Sequence, residues 1–381
     1  MGIYVKEKIN ILQNINTLTM NTKKAFLFSL LLLASMTLSD SKAQTFIKPS
    51  NPNITYLGRI SFSDPNALRF TYPGVQFHIN FEGTSVKMKT KPGSGYFMIE
   101  LDDFEPYKVH SEDSLDIVDI ASGLENKMHR LTVTYANEGL VMKPVFYGFI
   151  LDENCSLGEK PTLPERKIEF IGNSITCGLG NEWDGVATRF DYSMQNQYYT
   201  YAAIAARELN AQCFVVARSG IGIYRNTNGN VNGDRDNFQA VYPFTNFGTS
   251  GERWDFSDFT PDVVCINLGT NDTTNPTYKT ELLAAAYKKF IGTLRLHYPK
   301  AKIVLLTGTM VKGQRLANIQ KAQREAIAYH KSRGDNEIYR LDFTPADGSL
   351  GYGYAKHPSK AQHELMASEL VPFLRKITGW D

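Results

Sequence analysis

Hydrophobic and polar residues follow different periods in the two halves of the chain. Between residues 44 and 151, short segments rich in β-branched and aromatic residues are separated by turns containing Gly, Pro and Asn. This pattern is typical of half-buried strands. We predict strands at residues 55–62, 67–72, 75–81, 85–90, 96–101, 127–135 and 140–149. Such strands, with no helical segments between them, predict an antiparallel β-sandwich over residues 44–151.

After residue 166, short apolar strands alternate with helical segments. The strands are predicted at residues 167–172, 212–217, 263–268, 303–307 and 337–342, and the helices at 198–210, 280–297, 315–333 and 360–377. This alternation predicts an α/β domain over residues 166–381, with a five-stranded parallel sheet covered by helices on both faces. Residues 152–165 contain Pro161 and Pro164 and are interpreted as a linker.

The N-terminal residues have the pattern of a secretory signal peptide. Lys23 and Lys24 precede an apolar run, and Ser41 and Ala43 stand at the −3 and −1 positions of a cleavage site. The run of about 14 apolar residues is too short to span a bilayer, which needs about 20. Met20 is a natural start, so residues 1–19 are interpreted as an upstream extension. We therefore expect cleavage near Ala43 and export to the periplasm or the medium.

Charge and motif content exclude several classes of function. The chain has 41 basic and 39 acidic residues, and removal of residues 1–43 leaves 36 and 37. This balance argues against a nucleic-acid-binding protein, which usually has a basic excess. Four cysteines exclude a disulfide-framework fold, although they leave any pairing open. The sequence has no motif that implies a metal or nucleotide cofactor.

Residues suited to acyl transfer follow the predicted parallel strands. Ser174 and Gly220 come shortly after the first two strands, Asn271 after the third, and His357 after the fifth. The carboxyl ends of parallel strands meet at one edge of the sheet, where ligands bind. Taken singly, Ser174 could cap a helix, Gly220 could serve a loop and Asn271 could serve a turn. Together they supply a nucleophile, a base and oxyanion donors.

The motifs around these residues resemble those of a known enzyme family. The segments FIGNSIT, NLGTND and HP are similar to the blocks of the SGNH (GDSL-type) hydrolases. More narrowly, residues 171–183, 254–272 and 58–86 resemble carbohydrate esterase family 2. The resemblance covers residues 55–381. It implies a jelly-roll domain followed by an SGNH α/β/α domain, and the removal of acetyl groups from xylan, glucomannan or related saccharides.

The resemblance also implies roles for individual residues. Ser174 would be the nucleophile and His357 its base, and the backbone N–H groups of Ser174 and Gly220 and the Asn271 amide would bind the oxyanion. Asn173 replaces the usual Asp before the nucleophile, so we expect a changed local hydrogen bond.

A second departure concerns the acid that orients the histidine in related enzymes. Tyr354 and Ala355 occupy the positions where relatives carry an Asp near the histidine. Either a backbone carbonyl orients His357, which is the favoured interpretation, or Asp347 or another acid reaches it.

Three aromatic residues are candidates for substrate binding. Trp183, Tyr224 and Trp254 are predicted in loops near the active edge, where they could stack on sugar rings or pack in the core. The sequence thus predicts an exported O-acetyl esterase acting on acetylated polysaccharides or oligosaccharides. Two alternatives stay open: a carbohydrate-binding protein with little or no activity, and an esterase for lipids or small acyl esters.

Overall fold

Two antiparallel sheets form the first part of the chain in the computed structural model, which describes residues 44–381. One sheet has the order β1 (Gln44–Ile47), β10 (Val145–Asp152), β5 (Val86–Thr90), β8 (Ile117–Ala121), with β3 (Leu68–Arg69) also paired with β10. The other has the order β2 (Thr55–Leu57), β4 (Gln76–Gly83), β9 (Lys127–Tyr135), β6 (Gly95–Leu101), β7 (Tyr107–Ser111). Buried side chains from both sheets share one core, which confirms the predicted sandwich.

The strands that the sequence did not predict lie at sheet edges. β1, β7 and β8 are all edge strands, and β7 and β8 carry charged residues such as Lys108 and Asp119. Edge strands form through pairing with a neighbour more than through their own hydrophobic pattern. The strand predicted at residues 140–149 begins only at Val145. Before it, a turn closes where the Lys143 N–H donates to the Gly139 carbonyl at 2.8 Å.

A five-stranded parallel sheet forms the second part of the chain, as predicted. Its strands are β11 (Arg166–Gly172), β12 (Ala211–Ala217), β13 (Val263–Asn267), β14 (Lys302–Thr307) and β15 (Ile338–Asp342). The helices are α1 (Ser174–Cys177), α2 (Tyr201–Glu208), α3 (Phe238–Val241), α4 (Thr280–His297), α5 (Gly313–Lys331) and α6 (Lys360–Thr378). One face packs against α4 and α5, and the opposite face packs against α2 and α6.

The order of the parallel strands places a topological switch point at β11. The order is β12-β11-β13-β14-β15, so the chain leaves β11 to one side and later returns to its other side. In open α/β sheets a ligand site lies at such a switch point, beyond the carboxyl ends of the strands. Strands β11, β12 and β13 therefore direct their following loops to one place.

A buried ion pair joins the sandwich to the parallel sheet. Arg59 and Glu169 are both fully buried, and Arg59 Nη2 lies 3.6 Å from Glu169 Oε1. The guanidinium also lies over the ring of Tyr242, 4.7 Å from its centre, and donates a hydrogen bond to the Phe244 carbonyl at 2.9 Å. Burial raises the pKa of Glu169 to about 7, and the Arg59 charge opposes this shift.

The segment predicted to be a linker, residues 152–165, packs along the sandwich. The Gly158 N–H donates to the Asn80 carbonyl at 2.8 Å, and Thr55 Oγ1 donates to the Pro161 carbonyl at 2.6 Å. Residues 44–381 form one compact unit, and the predicted division at 152–165 stays a prediction. The predicted signal peptide and upstream extension lie outside the described residues. Between residues 44 and 381, no helix is long and apolar enough to cross a membrane.

Candidate active site

Ser174 is the first residue of the short helix α1, directly after strand β11. The helix is capped by Asn173, whose Oδ1 accepts a hydrogen bond from the Ile175 N–H at 3.1 Å. Asn173 thus performs the capping that the expected Asp could perform, and the Ser174 hydroxyl is not used as a cap. Gly172 allows this tight turn, because a Cβ there would lie 2.0 Å from Thr176 Oγ1. Ser174 is 8% exposed.

His357 contacts the Ser174 hydroxyl with one ring nitrogen and a backbone carbonyl with the other. Its Nε2 lies 2.9 Å from Ser174 Oγ, and its Nδ1 lies 2.9 Å from the Tyr354 carbonyl oxygen. Because a carbonyl oxygen can only accept, Nδ1 carries the proton and Nε2 accepts from the serine hydroxyl. Burial lowers the pKa of His357 below its usual 6.5, and the hydrogen bond to Tyr354 opposes this shift. The lowered pKa favours the neutral imidazole, which is the form that can accept a proton.

No carboxylate within residues 44–381 forms a hydrogen bond or ion pair with His357. Asp347 instead accepts hydrogen bonds from the N–H and the hydroxyl of Ser349, at 2.9 and 2.6 Å. The Tyr354 carbonyl holds the imidazole through a turn in which Ala355 and Lys356 have φ values of 53° and 63°. Such left-handed conformations cost free energy in residues with a Cβ, so the surrounding contacts must hold this turn.

The turn before His357 is held by the segment that follows Ser174 and α1. The Tyr354 N–H donates to the Gly180 carbonyl at 3.0 Å, and the Gly353 N–H donates to the His357 carbonyl at 2.8 Å. A Cβ on Gly180 would lie 2.5 Å from the Tyr354 Cβ, so only glycine permits this approach. After His357, Ser359 caps α6, and its hydroxyl accepts a hydrogen bond from the Gln362 N–H at 3.2 Å.

The other two predicted oxyanion donors, Gly220 and Asn271, lie in two loops that contact each other. Gly220 follows β12 with a φ of 77°, and residues 218–222 are called here the Gly220 turn. Asn271 begins a short 3-10 turn after β13, and its Nδ2 donates to the Ile221 carbonyl at 2.8 Å. The structure therefore brings the Asn271 amide to the Gly220 turn, beside the strand that carries Ser174.

Asp272, the last residue of the NLGTND segment, fixes the backbone that follows the Gly220 turn. Its carboxylate accepts from the N–H groups of Ile223, Tyr224 and Arg225 at 3.1, 2.8 and 3.1 Å. Burial raises the pKa of Asp272 to about 6, and these hydrogen bonds oppose the shift. Glu138, on a loop of the sandwich, contacts Ser219 in the same turn. Neither carboxylate has a local sequence pattern that marks its partner.

The three aromatic candidates occupy different environments. Trp183 is half-buried and packs edge-to-face on Tyr354, with ring centres 6.3 Å apart, so it lies beside the turn that holds His357. Tyr224 is 5% exposed and its hydroxyl accepts from the Lys279 N–H at 3.1 Å. Trp254 packs against the core near the Arg59 guanidinium, 5.3 Å from its ring centre. A stacking role for these residues stays a prediction, with Trp183 placed best for it.

The four cysteines at positions 155, 177, 213 and 265 are free thiols, and all except Cys155 are buried. Across residues 44–381, no group of three or more His, Cys, Asp or Glu side chains is arranged to hold a metal ion.

A parallel sheet with Ser174, His357 and Asn271 at its switch point defines an SGNH-type hydrolase fold, and comparisons with known proteins agree. Residues 56–161 match the description carbohydrate esterase 2 N-terminal, and residues 170–365 match the GDSL-like lipase/acylhydrolase family. A family two carbohydrate esterase from Clostridium thermocellum, solved in complex with cellohexaose, is 37% identical with a TM-score of 0.79, covering 86% of this chain and 100% of that one. The chain belongs to carbohydrate esterase family 2, which confirms the resemblance seen in its motifs.

Two curated relatives carry functional names. The cellulase/esterase CelE of Acetivibrio thermocellus is 37% identical over 333 residues, which are 87% of this chain and 40% of that protein. An acetylxylan esterase / glucomannan deacetylase of Cellvibrio japonicus is 28% identical over 340 residues, covering 88% of this chain and 91% of that protein. The chain thus spans less than half the length of CelE.

Proposed function

We propose that this chain is an exported O-acetyl esterase that acts on xylan- or glucomannan-type polysaccharides or their oligosaccharides through an acyl-Ser174 intermediate. The observation that carries the proposal is the hydrogen-bonded series from the Tyr354 carbonyl through His357 to the Ser174 hydroxyl. The name of the Cellvibrio japonicus relative supports the acetylated substrates. Serine esterases need this pairing of nucleophile and base near oxyanion donors.

In the first half-reaction, Ser174 Oγ attacks the acetyl carbonyl carbon while its proton passes to His357 Nε2. The backbone N–H groups of Ser174 and Gly220 and the Asn271 amide bind the oxyanion that forms. When the tetrahedral intermediate collapses, the ester C–O bond breaks and His357 returns the proton to the sugar oxygen. A water molecule then repeats the sequence on the acyl-enzyme and releases acetate.

The Tyr354 carbonyl performs one of the two tasks of a triad carboxylate. Its oxygen accepts a hydrogen bond from the Nδ1–H, with an N···O distance of 2.9 Å, and so fixes the tautomer and the orientation of the ring. It adds no negative charge beside the imidazolium that forms during attack. Loss of the correct tautomer accounts for a large part of the roughly 10⁴-fold loss when a triad Asp is replaced by Asn, so a carbonyl that preserves the tautomer supports a Ser–His dyad.

Acetate release from acetylated xylan and acetylated glucomannan tests the proposal. The wild-type chain should release acetate from at least one of them, and Ser174→Ala and His357→Ala should abolish release. Ser349→Ala is a matched control, because this serine lies in an exposed part of the same loop and bonds only with Asp347 within the described residues. Binding without turnover would favour the carbohydrate-binding alternative, and activity only on longer acyl chains would favour the lipid alternative.

A further inference from the structure

Glu138 is a buried carboxylate of the sandwich that reaches the catalytic half of the chain. It is 6% exposed and lies on the loop after β9. Its Oε1 accepts from the Ser219 N–H at 2.6 Å, and its Oε2 accepts from the Ser219 hydroxyl. Gln195 Nε2 also donates to Oε2, at 3.1 Å. Glu138 thus binds the residue that directly precedes Gly220.

The same carboxylate is connected to the helix that carries the nucleophile. Gln195 Nε2 also donates to the carbonyl of Cys177, the last residue of α1, at 3.2 Å. Ser174 is the first residue of that helix. Glu138 therefore lies between the two backbone segments that carry the Ser174 and Gly220 N–H groups.

The loop that carries Glu138 is itself held firmly from both sides. The Gly139 N–H donates to the Thr71 carbonyl of the sandwich at 2.8 Å, and the Gln197 N–H donates to the Ala136 carbonyl at 2.9 Å. Asn137 Nδ2 donates to the Gln195 carbonyl at 3.0 Å. Because the loop is fixed in this way, Glu138 can act as a stationary anchor.

The energetics of Glu138 favour a geometric role over a stabilising one. Within residues 44–381 it forms no ion pair, and burial raises its pKa while the bonds from Ser219 and Gln195 oppose the shift. A buried carboxylate without a cation is costly even when it is hydrogen-bonded, so Glu138 adds little net stability.

The part of the Gly220 turn from the Gly220 carbonyl onward is held by contacts other than Glu138. Asn271 bonds to the Ile221 carbonyl, and the Thr227 N–H donates to the Gly220 carbonyl at 2.8 Å. Before Gly220, the Arg218 N–H donates to the Gly172 carbonyl at a longer distance of 3.3 Å, and Glu138 accepts hydrogen bonds from both the N–H and the hydroxyl of Ser219. Glu138 thus holds the side of the turn that is otherwise weakly held.

We propose that Glu138 is a positioning residue that sets the Gly220 N–H in the oxyanion hole, so that the sandwich contributes directly to catalysis. The inference rests on the proposed function, which places the Gly220 N–H among the oxyanion donors. Removal of one such donor costs about 10²–10³ in rate, and misplacement by about 1 Å costs about 10². Glu138→Ala should therefore lower kcat by about 10–100-fold and leave KM nearly unchanged.

The conservative variant separates positioning from charge and bulk. In Glu138→Gln, the amide oxygen can still accept from the Ser219 N–H, and the amide nitrogen can donate to the Ser219 hydroxyl, while the bond from Gln195 Nε2 is lost. This variant should recover most of the kcat that Glu138→Ala loses. Ser219→Ala removes one of the two bonds and should give a smaller loss. Because both changes act on one contact, their losses in the double variant should be less than multiplicative.

Glu169→Gln is the matched control, because Glu169 is also a buried carboxylate at the junction with the sandwich but contacts Arg59 and not the Gly220 turn. It should change the melting temperature with kcat kept within about threefold of wild type. A folded Glu138→Ala protein with wild-type kcat, or a kcat loss of equal size in Glu169→Gln, would overturn the inference. If either of these outcomes occurs while Ser174→Ala abolishes acetate release in the same assay, the role of Glu138 is refuted but the proposed function is not. If Ser174→Ala stays active, the proposed function itself fails.

Discussion

Asn271→Ala tests whether the side-chain amide contributes to the oxyanion hole. Asn271 is 7% exposed, and its Nδ2 donates one hydrogen bond, to the Ile221 carbonyl at 2.8 Å, within the described residues. The second amide hydrogen is the one that would bind the oxyanion. The substitution removes both bonds, so its effects on catalysis and on stability must be worked out separately.

The expected loss of rate is larger than the expected loss of stability. One oxyanion donor is worth about 10²–10³ in kcat, or about 2.7–4 kcal/mol. Loss of the amide leaves the buried Ile221 carbonyl without this donor, which costs about 1–3 kcal/mol of the free energy of unfolding. A folded protein with about 5–15 kcal/mol of stability tolerates the second loss, so Asn271→Ala should be folded and nearly inactive.

Initial rates on an aryl acetate and on acetylated xylan, together with a urea unfolding curve, give both quantities. The loss should appear in kcat and in kcat/KM, with KM nearly unchanged, because the bond is made in the transition state. Thr273→Ala is the matched control, since its hydroxyl bonds the Gly269 and Thr270 carbonyls within the same loop. A folded Asn271→Ala protein with a kcat loss no greater than that of Thr273→Ala would refute the assignment.

Three further predictions follow from the contacts around His357 and Arg59. The lowered pKa of His357 predicts that kcat/KM decreases with falling pH only below pH 6.5, because a protonated Nε2 cannot accept the Ser174 proton. A decrease that begins above pH 6.5, with the protonation of His357 followed by NMR, would contradict this prediction. Gly180→Ala should lower kcat by more than about 10-fold, because the new Cβ would lie 2.5 Å from the Tyr354 Cβ. Gly185→Ala is the control, because Gly185 has a φ of 84° and no atom near its Cβ position, so this variant should lose only stability. Equal kcat values in the two variants would show that Gly180 does not position His357 through Tyr354. Arg59→Ala should lower the free energy of unfolding in urea by about 3–5 kcal/mol, because Glu169 is left buried and unpaired. The double variant Arg59→Met with Glu169→Gln should lose less stability, and a larger loss in the double variant would contradict this reasoning.

The residues at the ends of the parallel strands were predictable because their chemistry is local. Ser174, Gly220 and Asn271 each follow an apolar strand closely, and parallel strands deliver their carboxyl ends to one edge. The interior strands were also predictable, because their side chains are buried in an alternating or continuous pattern. The edge strands β7 and β8 were missed because they form through pairing with a neighbouring strand more than through their own hydrophobic pattern.

The supports of the site depend on contacts that are distant in sequence. Glu138 and Ser219 are 81 residues apart, and Gly180 contacts the turn at Tyr354 from the other end of the catalytic domain. A lone glutamate after a strand has no local feature that names its partner. The left-handed Ala355 and Lys356 were likewise not predictable, since neither residue type favours a positive φ.

The most direct test of the central claim is covalent labelling of the nucleophile. A fluorophosphonate should add one phosphonyl group to the intact chain, and peptide mass spectrometry should locate it on Ser174, the residue whose hydroxyl lies 2.9 Å from His357 Nε2. His357→Ala should slow this labelling, and Ser174→Ala should remove it. Labelling of another residue, or undiminished labelling of Ser174→Ala, would contradict an acyl-Ser174 mechanism.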